Sequence, residues 1–203
     1  MTGSLYIIAA PSGAGKTSLV KALLESTGGI EVSVSYTTRP RRPGEQDGIN
    51  YHFVDLQTFR RMIANDEFLE HAEVFGNRYG TARANILERL HQGVDVILEI
   101  DWQGARQVRQ RLPEAVGIFI VPPSREILEQ RLRSRGQDSQ ETIERRMQDA
   151  VNEISHYNEF DYLVVNDEFE IALAELRAIV QARRLRVEVQ RVKLNELLTR
   201  LVS

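Results

Sequence analysis

Two hydrophobic periods take turns along the chain. Leu5-Tyr6-Ile7-Ile8-Ala9 is an unbroken apolar run closed by Pro11-Ser12-Gly13, which predicts a buried strand feeding a turn. A helix is expected from about Thr17 to Glu25, with Leu19, Ala22 and Leu23 on one face, and Gly28-Gly29 ends that unit. Glu31 to Ser35 alternates as a strand does. Arg39 to Asn50 is a Pro-, Gly- and Arg-rich stretch expected to be irregular. Beyond it, Leu56, Phe59, Met62 and Ile63 recur at helical spacing, Phe68 to Phe75 is strand-like, and Ile86, Leu87 and Leu90 mark another helix. This stretch lacks the strand–helix alternation of a parallel sheet.

The alternation returns with Val94 to Ile100 as a buried strand, a helix near Gly104 to Arg111, and a strand at Val116 to Val121. A helix over Arg125 to Arg133 follows, then polar residues 134–139, then a helix whose apolar face is Ile143, Met147, Ala150, Val151 and Ile154. Asp138 and Glu141 have capping-box spacing for its start. Tyr162 to Val165 is the last strand, its apolar side chains expected in the core, and Asp167 with Glu170 is expected to cap a final helix. The predicted architecture is α/β: a parallel sheet flanked by helices, interrupted once between about 36 and 94 and once by a short arginine-rich excursion. The apolar positions Ile171, Ala174, Ile179, Leu185, Val189, Val192, Leu197 and Leu201 form a stripe along the tail, expected either to cover the domain or to pair two chains.

Composition narrows the partners. The 203 residues suit one domain with subdomains, and 42% hydrophobic with 27% charged residues is ordinary globular usage. Cysteine is absent, which removes disulfide, thiol-nucleophile and Cys-metal readings and fits a reducing, cytoplasmic setting. No apolar run reaches the roughly 18 residues of a membrane helix. A net charge of −3 argues against a nucleic-acid polymer as partner. Among 26 basic residues only Lys16, Lys21 and Lys193 are lysines. Arginine's planar fork matches phosphate oxygens, so small phosphorylated ligands become the natural partners.

The candidate chemistry begins at Ala10-Pro11-Ser12-Gly13-Ala14-Gly15-Lys16-Thr17, which matches the Walker A pattern except for Ala10 in place of its first glycine. A predicted strand before and helix after supply the context of a phosphate cradle. Ser12, Gly13, Ala14, Gly15, Lys16, Thr17 and Ser18 are the candidate ATP-binding residues, with Lys16 reaching the β- and γ-phosphates and the Thr17 hydroxyl on Mg2+. Arg39, Arg41 and Arg42 beside a strand end, with the phenols of Tyr51 and Tyr79, form a set suited to a phosphate monoester. Glu70 lies in a strand too polar for simple core, and its two acceptors match the adjacent N1–H and 2-amino donors of guanine.

The run Ser35 to Gly44, the segment Glu70 to Gly80 followed by Thr81, and Asp101-Trp102-Gln103-Gly104 together resemble guanylate kinase, from Leu5 to about Arg184. The resemblance implies a P-loop NTPase-type core (1–35, 95–125 and 151–203), a nucleoside-monophosphate-binding insert (36–94) and a lid (126–150). It implies transfer of the γ-phosphoryl group of ATP to GMP, and to dGMP, with Mg2+ as cofactor. Ser35 and Glu70 would read the guanine with help from Thr81, while Arg39, Arg42, Tyr51 and Tyr79 would hold the GMP phosphate. Arg131, Arg135 and Arg146 of the lid would close over the ATP phosphates, and Lys16, Arg39, Arg131 and Arg146 are the candidate catalytic set. Glu99 departs from the aspartate common in the family, and Arg78 stands where tyrosine is frequent.

No catalytic base is required, because a phosphate monoester with a second pKa of about 6 is mostly ionised at neutral pH. Positioning and charge neutralisation then supply catalysis. Asp101 reads equally as a carboxylate on the GMP side that holds Mg2+ through water, or as the cap of the helix after it. Asn166 reads equally as a border of the adenine site or as a helix cap. His52, His71, His91 and His156 form no metal pair, and Trp102 is expected in the core. The rivals are a noncatalytic interaction module of the same family, which would have no use for Lys16 and Thr17, and a kinase for another phosphorylated acceptor, which would not need Ser35, Glu70 and Tyr79. Closure of insert and lid is expected, since water must be kept from the transferred group, and self-association through the C-terminal helix is the expected assembly.

Overall fold

The computed structural model describes residues 2–74, 76–134 and 139–203. Five strands form a wholly parallel sheet in the order β2 (Ile30–Val32), β7 (Asp95–Leu98), β1 (Leu5–Ala9), β8 (Val116–Val121), β9 (Tyr162–Val165). Helices cover both faces, which is why β1 reads as an unbroken apolar run: each alternate side chain meets a different layer. Tyr6 and Ile8 pack with Leu19 and Leu23 of α1 (Lys16–Ser26) and with Leu176 and Val180 of α7 (Phe169–Arg184). Leu5 and Ile7 pack with Ile86 and Leu90 of α3 (Arg83–His91) and with Ala105 and Val108 of α4 (Trp102–Arg111). From β1 the chain moves first to the β7 side and later to the β8 side, so the C-terminal end of β1 is a topological switch point, where ligands bind in open α/β sheets.

A second, four-stranded sheet in the order β4 (His52–Phe53), β3 (Tyr36–Thr37), β6 (Asn77–Ala82), β5 (Phe68–Val74) is built between β2 and α3. Only the β3–β4 pair is parallel. The expected strand over 31–35 is therefore two partnerships. Ser33 still donates to Ile97 of the main sheet, but the Ser35 carbonyl already accepts from His52 of the second. The second sheet rests on α2 (Leu56–Ala64), opened by Asp55 capping the Thr58 amide, through a small core of Phe59, Met62 and Phe68.

Helices α5 (Arg125–Arg133) and α6 (Gln140–Ile154) follow β8 and close a core of their own: Leu128, Leu132, Ile143, Met147 and Ala150. The cap of α6 is Ser139, which accepts from the Thr142 amide, in place of the expected Asp138, which lies outside the described residues. The helix α7 starts after Glu168 with no side-chain cap, so Asp167 and Glu170 do not form the expected one. In β9 only Val164 is buried. Tyr162, Leu163 and Val165 are exposed because this strand is the sheet's edge, which corrects the expectation of a core strand.

The tail also departs from its expected stripe. Ala172, Leu173, Leu176, Ile179 and Val180 form the buried face of α7, so Ile171 and Ala174 point away from the core. Two short helices, α8 (Val187–Lys193) and α9 (Asn195–Val202), follow, and α9 buries no residue.

Candidate active site

The turn from β1 into α1 is shaped by its glycines. Gly13 and Gly15 hold φ of 93° and 90°, a region that side chains with a Cβ rarely occupy. Space excludes a side chain as well: a Cβ on Gly15 would lie 2.3 Å from Asn166 Nδ2, and one on Gly13 would lie 2.9 Å from Leu128 Cδ1. Asn166, 5% exposed at the end of β9, donates to the Ala14 carbonyl (2.7 Å) and so braces the loop from beneath. The expectation left it as an adenine border or a cap; the cap is not formed, since α7 starts with no side-chain cap. No side chain caps α1, and its first-turn amides are left for an anion.

Lys16 Nζ stands 3.7 Å from Glu99 at the end of β7. Burial lowers the Lys16 pKa, and Glu99, Glu153 and Asp101, in that order, oppose the fall. Glu99 thus has a position in the cradle, as partner of the lysine. Thr17 and Ser18 lie exposed at the rim. Asp101 caps α4 by accepting the Gly104 amide (2.8 Å), with the carboxylates of Glu70 and Glu153 near enough to feel its charge.

In the second sheet, Glu70 is 5% exposed and accepts the Thr81 hydroxyl at 2.6 Å across the β5–β6 ladder. Burial beside Asp101 pushes its pKa up to about 7. Its other oxygen would be 3.2 Å from a Cβ on Gly104, so the open N-terminal turn of α4 is what gives it room. Ser35 stands at the strand junction, half-buried. Arg39, Tyr51 and Tyr79 gather as expected. The Arg39 guanidinium lies 5.5 Å over the Tyr51 ring, with Tyr79 close enough to feel its charge, and the two phenol rings are 5.9 Å apart. Burial raises the Tyr51 pKa, so the phenol stays a neutral donor. Arg42 is on the same loop with an exposed side chain, its backbone amide bonded to Glu45.

Of the three expected lid arginines, Arg135 lies outside the described residues. Arg131 of α5 donates to the Asn166 carbonyl (3.0 Å), and among the described residues its other terminal nitrogen is buried without a hydrogen-bond partner. Arg146 is half-buried on α6. Leu128 and Leu132 seat the helical pair directly against the Gly13 turn. Trp102 is half-buried rather than core, its ring centroid stacked 3.6 Å from that of His156 and 4.7 Å from the Arg106 guanidinium.

Two carboxylates at the site were not anticipated. Glu45 grips Arg39 at 2.6 Å and so points it before any ligand arrives. An opposite charge a few residues from three arginines was the available signal. Glu153, in the last turn of α6, lines the cradle together with Pro11, Ser12 and Lys16. It follows Ala150 by three residues, which places it at the edge of that helix's buried face.

The guanylate kinase family model matches residues 2–183. The guanylate kinase of Nitrosococcus oceani is 63% identical over the whole of both chains, and that of Alkalilimnicola ehrlichii 59% over the same span. The crystal structure of guanylate kinase from Anaplasma phagocytophilum superposes with a TM-score of 0.73 at 37% identity, covering 91% of this chain and 88% of that one. A likeness that runs through the cradle, the second sheet and the helical pair alike makes this chain a member of the guanylate kinase family.

Proposed function

We propose that the chain transfers the γ-phosphoryl group of ATP to GMP, giving ADP and GDP, with the guanine read by Glu70, Thr81 and Ser35 and the GMP phosphate held by Arg39, Arg42, Tyr51 and Tyr79. The observation that carries this reading is the position of Asp101: its charge is felt both by Lys16 of the phosphate cradle and by the buried Glu70. A purine monoester at Glu70 and a triphosphate on the loop would thus flank one carboxylate.

The chemistry follows from charge. A GMP phosphate oxygen, ionised at neutral pH, attacks the γ-phosphorus in line as the bond to the ADP oxygen breaks. Lys16, Arg39, Arg131 and Arg146 offset the repulsion between the two anions, and Arg135 is proposed with them on the resemblance alone. The uncapped amides of Lys16, Thr17 and Ser18 hold donor phosphates. A Mg2+ ion would supply charge neutralisation for the donor phosphates. The Thr17 hydroxyl and the Asp101 carboxylate fit such an ion, because Mg2+ prefers oxygen donors and takes few from protein. One Asp101 oxygen is committed to Gly104, and the other remains for a metal-bound water. Asn166 is proposed to serve ATP binding by holding the loop's shape. The same proposal includes self-association through α9, which leaves Leu197, Leu198, Leu201 and Val202 exposed.

The test is ADP release with a panel of nucleoside and sugar monophosphates. GMP should be preferred, and Glu70→Gln should erode its preference over AMP by turning one acceptor into a donor that faces the 2-amino group. An unchanged preference in that variant would remove Glu70 from the guanine site.

A further inference from the structure

The Glu153 carboxyl sits inside the cradle that the donor's phosphates must enter. It comes from the last turn of α6, and it lines one cavity with Pro11, Ser12, Gly13, Lys16 and Thr17. Burial, with Asp101 and Asp149 nearby, pushes its pKa up to about 7, while Lys16 and the Ser12 amide draw it back down. One of its oxygens is buried without a hydrogen-bond partner among the described residues. A structural carboxylate is normally satisfied on both oxygens, commonly by arginine or by several amides. Here the attraction comes from the groups that a P-loop directs at phosphate.

We propose that Glu153 is an internal anion of the phosphate cradle, which ATP or ADP displaces on binding, so that this side chain sets donor affinity. The inference rests on the loop's being a nucleotide site, and it deepens the proposed reaction without depending on the acceptor. A phosphate has more charge and more oxygens than a carboxylate, and it can use every amide of the turn. Glu153 must then leave, and because it is rooted in α6 its departure moves that helix. Donor binding and movement of the helical pair become one event. Under this scheme the apparent dissociation constant is the intrinsic one divided by the fraction of molecules whose cradle is open.

Calorimetric titration of the full chain with ADP, and separately with pyrophosphate, tests the idea without any phosphoryl transfer. At pH 8, above the raised pKa of the parent carboxyl, Glu153→Gln keeps the shape and drops the charge, and it should tighten both ligands on the order of tenfold if the cradle is mostly occupied. GMP affinity should stay as in the parent, and KM for ATP should fall with the ADP constant. Glu153→Asp, one methylene shorter, should shift in the same direction by less, and it serves if the glutamine variant fails to fold. Equal or weaker binding of ADP and pyrophosphate in a folded variant would overturn the proposal and make Glu153 a donor-binding or purely structural group. Failure of the parent to use GMP while pyrophosphate still tightens in Glu153→Gln would overturn the proposed acceptor and leave this inference standing.

Discussion

Glu70 shows how one residue ties specificity to stability. Its folded pKa of about 7 lies above its ordinary value of 4.5, because burial disfavours the charged form. The sign follows from proton counting: between those values the native state keeps a proton that the unfolded chain has released. Stability from this group is complete below about pH 4.5 and is lost as pH rises through 7, an effect of about 3 kcal/mol. Chemical denaturation across pH should show this fall in the ligand-free protein and a flatter profile for Glu70→Gln. Identical slopes would mean that the carboxyl titrates normally.

At Gly15 the expected effect is steric: Gly15→Ala sets a methyl against Asn166 in a left-handed turn, at a cost of about 1–3 kcal/mol. ATP affinity should drop at least tenfold, as titration with ADP would report. Lys16→Met should abolish transfer while GMP binding survives; equal loss of both would indicate global damage. Lys16 and Thr17 were readable from fixed spacing alone, and Glu70 from its place in a strand too polar for simple core. Glu45 and Glu153 were not, since their partners are assembled by a loop and a helix whose placement no local pattern encodes.

Elements with a single dominant partner were legible nearly to the residue. Strand β1, strand β8 and helix α5 fall where their apolar runs and breakers predict, because both faces of each strand, or one clear face of the helix, meet the core. Where partners change mid-run, the period is silent. The alternation of residues 31–35 serves two sheets in turn, and Asn77–Ala82 has little apolar pattern yet becomes β6 because β3 and β5 pair on either side of it. The α5–α6 pair can yield separately from the rest, since its five-residue core is its own. Met147→Ala should destabilise that core by about 2–5 kcal/mol. Hydrogen exchange should accelerate in α6, with the amides of β1 and β8 unchanged. Acceleration throughout would mean that the helical pair unfolds only with the main sheet.

At the scale of the molecule, the parallel sheet anchors the cradle while the second sheet and the helical pair stand on opposite sides of the chain's switch point. Small-angle scattering should register contraction when ADP and GMP bind together, and unchanged dimensions would count against closure. The apolar face of α9 should make the apparent mass exceed that of a monomer at micromolar concentration, and Leu197→Glu with Leu201→Glu should return it to the monomer. A monomer in the parent would leave that face to solvent.

The stack of Trp102 on His156 has a practical consequence. This is the chain's one tryptophan, and it joins the start of α4 to the segment just beyond α6. Indole emission from the natural protein therefore issues from a single place, where the start of α4 meets the segment that follows α6. Stopped-flow light from that ring should time any swing of α6 on donor binding with no label attached.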